Sequence, residues 1–272
     1  MKLIYKIYDS VQLHLGIKKF LSEYILKDKI LCWIDNYIVF PIYELLEKYF
    51  FKRVVSHYGA DYHWGDEKSQ NLSIKKNNFG FGYYHYAFIR NKRPKKILCI
   101  GSMYGFIPYM MAKACRENRK GHVDFVDAGY DINDDGGKNY YGQGFWRKIN
   151  PNEHFSYLKV NKYLSTYVMT SAEFAKINKE KYDYVYLDGD HSYKGAAENM
   201  KLFWTRLNNE GFVCFHDIHF DRILRGMLFE HGKMWKDLSK MPFKYEISNH
   251  YSGLGFLQKL TKDDPLKMIQ KK

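Results

Sequence analysis

Two short runs carry most of the chemistry this sequence could perform. Asp188-Gly189-Asp190-His191-Ser192-Tyr193 and His216-Asp217-Ile218-His219 each follow directly on an apolar stretch, Tyr184-Val185-Tyr186-Leu187 and Phe212-Val213-Cys214-Phe215. Short, continuous apolar runs are how strands buried on both faces read in sequence. If both strands lie in one sheet, two carboxylates and several imidazoles converge on one edge of it. Such a cluster costs electrostatic energy unless positive charge sits within it. A divalent cation would supply that charge, and oxygen ligands favour magnesium or a similar hard ion. Polar loops held by hydrogen bonds alone are the plainer account of the same residues.

A second group lies upstream. Ile97-Leu98-Cys99-Ile100 ends in Gly101-Ser102-Met103-Tyr104-Gly105. Two glycines let the backbone pass close to a ligand and turn into a helix. The spacing is not the dinucleotide G-x-G-x-x-G, and the Lys-Ser/Thr of a phosphate loop is missing. Val123-Asp124-Phe125-Val126 leads to Asp127-Ala128-Gly129. A carboxylate at that strand end can accept both hydroxyls of a ribose. Together with Gly101 and Gly105 it points to a nucleoside-bearing cofactor. Tyr167-Val168-Met169 is followed by Thr170-Ser171-Ala172-Glu173. Ser171 either caps the helix that follows or lies with Ala172 beside an adenine ring, and the two roles are compatible.

The elements that would position these residues alternate. Helical periodicity runs from Ile107 to Cys115, from Ala172, and from about Gly195 to Leu207, between the apolar runs. A further helix is expected near residues 222–238, and two late strands near Tyr245–Ile247 and Gly255–Leu257. Alternation of this kind predicts an α/β fold, a Rossmann-like, doubly wound and mostly parallel sheet. In such sheets ligands sit beyond the carboxyl ends of the strands, where all the runs above end. Between Gly129 and Phe155 lies a long polar insertion, which either covers the substrate or is a surface excursion.

Residues 1–58 read as an N-terminal helical extension and 59–272 as the main domain. Leu3, Ile7, Val11 and Leu15 recur at helical spacing, as do Leu45, Leu46, Tyr49 and Phe50. The extension either packs on the domain or forms a basic, aromatic element for a membrane surface or dimer. Its most apolar stretch, Ile30 to Leu46, contains Asp35, Asn36, Pro41 and Glu44 and falls short of the ~20 apolar residues a span needs.

The chain of 272 residues carries a net charge of +13, and residues 1–96 hold 17 Lys/Arg against 9 Asp/Glu. A basic surface of this kind suits anionic membranes, nucleic acid or acidic glycans, or merely keeps the protein solvated. Cys32, Cys99, Cys115 and Cys214 form no CxxC pair, which argues against a zinc site and for reduced core thiols. No secretory signal is evident. A cytoplasmic location is expected, with peripheral contact to the inner membrane surface through the N-terminal helices as an option.

The run Ile97 to Gly105, the Asp127 strand end, Tyr186 to Tyr193, and Gly211 through His216-Asp217 together resemble the class I S-adenosylmethionine (SAM)-dependent methyltransferases. The subgroup they resemble is the metal-assisted small-molecule and sugar O-methyltransferases, over roughly residues 60–257. The resemblance implies that Gly101, Ser102 and Gly105 lie along the amino-acid and ribose portion of SAM. It implies that Asp127 binds the ribose hydroxyls and that Ser171 and Ala172 lie near the adenine. It further implies that Asp188 and Asp217 hold a divalent cation, Mg²⁺ by expectation, with His216 as third ligand and His191 at the mouth of the site. Asp188, His191 and His216 are then the catalytic candidates, either imidazole being able to take a proton near neutral pH. Two positions depart from the pattern. Cys99 stands where many class I enzymes have an acidic residue, and His216 stands where metal-dependent relatives have an acidic or amide neighbour.

The expected reaction is methyl transfer to a hydroxyl oxygen of a small molecule or glycan. A nicotinamide-dependent oxidoreductase is disfavoured by the glycine spacing. A non-catalytic basic protein on membrane or nucleic acid is motivated by the charge, but Asp127, Asp188 and Asp217 would repel phosphates, and no nucleic-acid signature is present. A homo-oligomer is compatible with all of these readings.

Overall fold

The structure is a computed structural model. It describes residues 81–102, 105–130, 144–219, 221–224, 227–238, 241–247, 253–260 and 265–269. The N-terminal extension, the proposed boundary at 58/59, Cys32 and the core of the polar insertion therefore lie outside the described residues.

The first described element is helix α1, Phe81–Lys92, followed by strand β1, Lys96–Ile100, and helix α2, Phe106–Asn118. Strand β2, His122–Asp127, leads to two short helices, α3, Phe145–Lys148, and α4, Pro151–Tyr157. Then come β3, Leu164–Val168; α5, Ser171–Ile177; β4, Tyr182–Leu187; α6, Tyr193–Trp204; and β5, Leu207–His216. A hairpin of β6, Asp221–Leu224, and β7, Met227–Glu230, precedes α7, His231–Asp237. Strands β8, Lys244–Ile247, and β9, Leu254–Gln258, and a last turn of helix, α8, Leu266–Ile269, complete the order.

Among the described residues, seven strands form one sheet in the order β3-β2-β1-β4-β5-β9-β8. Strands β1 to β5 are mutually parallel, and β9 and β8 add antiparallel. The sheet is therefore mostly parallel and doubly wound, as the alternation of elements predicts. Successive residues of a strand face opposite sides, and the core divides accordingly. Ile97, Cys99, Tyr184, Tyr186 and Cys214 pack under α1 and α2. Leu98, Ile100, Val185, Leu187 and Val213 pack with Phe174 of α5, Met200 and Phe203 of α6, and Trp235 of α7. Both faces are covered, so both sets of side chains are apolar.

The chain runs outward from β1 to β2 and β3, then returns across β1 to β4. The switch point thus falls between β1 and β4, and their carboxyl ends are tied by a hydrogen bond of 2.8 Å from the Asp188 amide to the Ile100 carbonyl. This is where a doubly wound sheet opens a crevice for ligands.

Two expectations change. Residues 221–224 and 227–230 are strands, not helix: Asp221 pairs with Glu230 and Leu224 with Met227 in an antiparallel hairpin, and the helix starts only at His231. The sequence separating the last pair is Arg225-Gly226, and a two-residue connection containing glycine is a hairpin signal that outweighs the apolar spacing. The described later part of the insertion after Gly129 is not loop: it forms α3 and α4. Trp146 of α3 is buried, stacked on Phe155 at 5.5 Å and set edge-on to Phe125 at 5.2 Å. Cys99, Cys115 and Cys214 are buried free thiols. No helix among the described residues is long and apolar enough to cross a membrane.

Candidate active site

Asp188 and His191 follow β4, and His216 ends β5 with Asp217 just past it, so the parallel pairing of β4 with β5 brings the four together. One donor atom from each lies within 4.8 Å of the others. His216 Nδ1 is 2.9 Å from Asp188 Oδ1 and 3.5 Å from Asp217 Oδ2. His191 Nε2 is 3.4 Å from Asp188 Oδ1 and 3.1 Å from Asp217 Oδ2. His191 is not a residue of the rim alone: its side chain is 17 % exposed and it completes a square of alternating carboxylates and imidazoles.

Neighbouring strand residues normally point to opposite faces, so His216 and Asp217 share one cluster only because the chain leaves the extended conformation. Asp217 has φ +57°, in the left-handed region that few non-glycine residues adopt. Asp188 is held from behind. The Tyr186 hydroxyl donates to Asp188 Oδ2 at 3.0 Å, leaving Oδ1 to face both imidazoles. Tyr186 was not singled out from sequence, although its position two residues before Asp188 on a strand placed it on the same face.

Burial alone would raise a carboxyl pKa, yet the two imidazoles hold Asp188 down at about 2 and Asp217 well below the usual carboxylate range. Burial would likewise lower the imidazoles, but the carboxylates raise His191 to about 10 and His216 well above its ordinary value. Without an ion the square is electroneutral, with two carboxylates and two imidazoliums. With a divalent ion, two carboxylates and two neutral imidazoles would again balance. The donor set of two oxygens and two nitrogens fits a divalent cation chemically.

A third histidine, His231 at the start of α7, buttresses the square. Its Nδ1 lies 2.8 Å from the His216 carbonyl and its Nε2 3.1 Å from the Asp190 carbonyl. Its ring stacks on His191 at 4.8 Å and 12°. Nothing in the sequence pattern around His231 marks it, because the contact depends on the hairpin returning α7 to the strand ends. His219 pairs instead with Glu246, at 3.7 Å. Asp190 accepts from the Ser192 amide at 2.8 Å, and the Ser192 hydroxyl caps α6, so these two shape the turn.

The nucleoside-binding candidates lie across the switch point. Gly101 has φ +75°, and a Cβ there would sit 2.1 Å from the Asp188 carbonyl oxygen. Only glycine lets the first loop lie this close to β4. Asp127 is pinned by two amides, Ser102 N to Oδ2 at 3.0 Å and Gly129 N to Oδ1 at 2.8 Å. Burial raises its pKa and those amides oppose the rise. Each oxygen keeps a second lone pair, as a ribose acceptor requires. The Ser102 hydroxyl is buried with no hydrogen-bond partner among the described residues, so it can turn to a ligand. Gly105 has a packing role: a Cβ there would meet Trp146 at 2.8 Å and Phe155 at 2.9 Å. Ser171 does not cap its helix. Thr170 does, in a reciprocal capping box with Glu173, which leaves Ser171 and Ala172 in the first turn beyond β3, next to the Asp127 strand end. At the acidic position that Cys99 replaces, the thiol points at the Gly101 carbonyl, 3.7 Å away.

The comparisons with known proteins agree with this geometry. Residues 98–218 match the profile of a methyltransferase domain family. No curated protein sequence matches the chain. Among solved structures, cofactor-bound Rv0187 from MTB is similar with a TM-score of 0.52 at 9 % identity, over 82 % of this chain and 97 % of that one. A provisionally assigned caffeoyl-CoA O-methyltransferase from Staphylococcus aureus gives 0.52 at 14 % identity, over 79 % and 91 %. A provisionally assigned O-methyltransferase from Klebsiella pneumoniae gives 0.51 at 11 % identity, over 84 % and 96 %. These likenesses show a shared fold, and residues 98–218 are similar to the methyltransferase domain whose family model they match.

Proposed function

We propose that the protein transfers a methyl group from SAM to a hydroxyl oxygen of a small molecule or glycan, with a divalent cation held by Asp188, His191, His216 and Asp217. The observation that carries this reading is the four-residue square at the carboxyl ends of β4 and β5, touching the Gly101 loop through the Asp188 carbonyl. Acceptor and cofactor sites then share a wall, as direct transfer between two bound reactants requires. Asp127 and Ser102 hold the ribose and its neighbourhood, and Ser171 and Ala172 border the adenine. Tyr186 and His231 fix the orientation of Asp188 and His191. When bound, the cation lowers the pKa of an acceptor hydroxyl and orients it. The histidines serve as ligands in this reading. His191, held protonated up to about 10 by its carboxylates when no ion is present, has no free site for a proton at neutral pH.

A second reading is favoured by the charge balance of the square itself. Two imidazoliums already neutralise the two carboxylates, so the cluster also serves a metal-free methyltransferase as a rigid polar wall for the acceptor. Thermal unfolding with SAM, S-adenosylhomocysteine and NAD, each with and without added dications, separates the readings, because a ligand raises the melting temperature of the state it binds. A rise with the adenosyl ligands alone supports methyl transfer without a cation, and a further rise with a dication supports the first reading. No rise with either adenosyl ligand would overturn both. The basic surface and the N-terminal extension support an anionic acceptor or membrane surface nearby, in the cytoplasm. Flotation with anionic vesicles that leaves the protein at the bottom of the gradient would remove the membrane part.

A further inference from the structure

We infer that the Asp188–His191–His216–Asp217 centre selects a first-row transition dication over Mg²⁺. This rests on the cation-bearing reading above and names its ion. Reasoning on the carboxylates alone leads to magnesium. The assembled centre offers as many ring nitrogens as carboxylates, because His191 belongs to it.

The nitrogens cannot readily leave. The His191 ring is packed against two others, His231 stacked at 4.8 Å and Phe229 at 4.8 Å and tilted by 58°. The His216 ring has Phe81 edge-on at 5.7 Å and Tyr186 at 6.3 Å, and only 7 % of its side chain is exposed. The His216 backbone is tied to His231 by the bond of 2.8 Å to its carbonyl. On the oxygen side, Tyr186 occupies Asp188 Oδ2, which disfavours two-oxygen binding by that carboxylate and leaves one oxygen for an ion. The site thus presents two nitrogens and two carboxylates from packed side chains.

Magnesium demands near-ideal octahedral oxygen coordination and gives up its water reluctantly. Imidazole suits the transition dications, whose affinity for mixed nitrogen–oxygen sites rises along the row. A centre whose nitrogens are locked in place therefore penalises Mg²⁺ relative to the transition dications, by the smallest margin against Mn²⁺, which makes Mn²⁺ the most demanding competitor to test. The selectivity is a property of His191 and His216, and replacing one of them by a carboxylate should erode it.

The test uses the full chain stripped of metal with a chelator. Mn²⁺ is titrated in, its free fraction is followed by electron paramagnetic resonance, and Mg²⁺ is then added as competitor. Visible absorption of the Co²⁺-loaded protein reports nitrogen ligation directly. The expected result is one bound Mn²⁺ that a 100-fold excess of Mg²⁺ does not displace, with Co²⁺ bands shifted from those of the aquo ion. His191→Asp should narrow the Mn²⁺/Mg²⁺ preference at least tenfold. Displacement of Mn²⁺ by Mg²⁺ at less than a tenfold excess would overturn the selection and leave cation-assisted transfer standing. No Mn²⁺ or Co²⁺ binding, in protein that SAM still stabilises, would overturn both the selection and the cation, leaving the metal-free methyltransferase. Should His191→Asp fail to fold, the wild-type competition and the Co²⁺ spectrum still decide the matter, since neither needs a variant.

Discussion

Gly101→Ala tests whether the first loop and the acidic square are one assembly. The backbone at Gly101 has φ +75°, where an L-residue costs about 1–2 kcal/mol. The new methyl would lie 2.1 Å from the Asp188 carbonyl oxygen and 2.6 Å from its carbon. Both are backbone atoms, so no side chain can swing away. Ordinary contact requires β1 and β4 to part by roughly 1 Å at their carboxyl ends, and forced overpacking of this kind costs about 1–3 kcal/mol. The two effects sum to about 2–5 kcal/mol. Gly189→Ala is the control, since its Cβ would meet only side-chain atoms, Ile100 Cγ2 at 3.3 Å and Asn199 Nδ2 at 3.8 Å, and its φ is not left-handed. Urea unfolding followed by circular dichroism gives the stability, and calorimetry gives the SAM affinity. Gly101→Ala should lose both stability and SAM binding, and Gly189→Ala should stay within about 1 kcal/mol of the parent on the same contact argument. A Gly101→Ala protein as stable as the parent, with unchanged SAM affinity, would refute the close approach of the loop to β4.

Three further outcomes follow from other contacts. Thr170→Ala should cost about 1 kcal/mol through loss of the capping box, while Ser171→Ala should leave stability nearly unchanged; equal losses would contradict the cap. Tyr186→Phe removes the hydrogen bond behind Asp188, so Mn²⁺ affinity should fall about 10–100-fold with SAM affinity unchanged, as titration calorimetry would show. Burial lowers the His154 pKa from 6.5 to about 4, so the folded state resists its protonation. The sign follows: its contribution is complete above 6.5 and is lost as pH falls toward 4. The melting temperature should therefore drop across that interval, and His154→Phe should flatten the drop; an unchanged pH profile in the variant would contradict burial of a neutral ring.

The strands and their order of use were legible because both faces of the sheet are covered, which makes each central strand a continuous apolar run bounded by polar residues. The same logic exposed Asp127, Asp188, His216 and Asp217, since each stands where a run stops. Residues whose role arises from return of the chain were not legible. His231 reaches the square only because β6 and β7 form a hairpin, and there the apolar spacing of Ile223, Leu224, Met227 and Leu228 reads equally well as helix. Thr170 and Ser171 differ by one position, and choosing the cap needs the φ and ψ of the turn. The square itself needed the left-handed turn at Asp217, which composition does not announce for an aspartate as it would for a glycine.

The placement of β4 beside β1 also sets a schedule. The Lys96 amide meets the Asp183 carboxylate across 87 positions of sequence, and the parallel ladder above it spans similar distances. Closing so long a loop precedes any gain from the contacts it makes, so pairing of this kind is slow. During synthesis β1, β2 and β3 emerge first, while His216 and Asp217 leave the ribosome only after α6. A nascent chain therefore owns the Gly101 and Asp127 strand ends well before it owns all four residues of the Asp188–His191–His216–Asp217 square. The four-residue square can therefore form only once β5 has docked on β4, so under the proposed cation-bearing reading metal retention would report on completed folding.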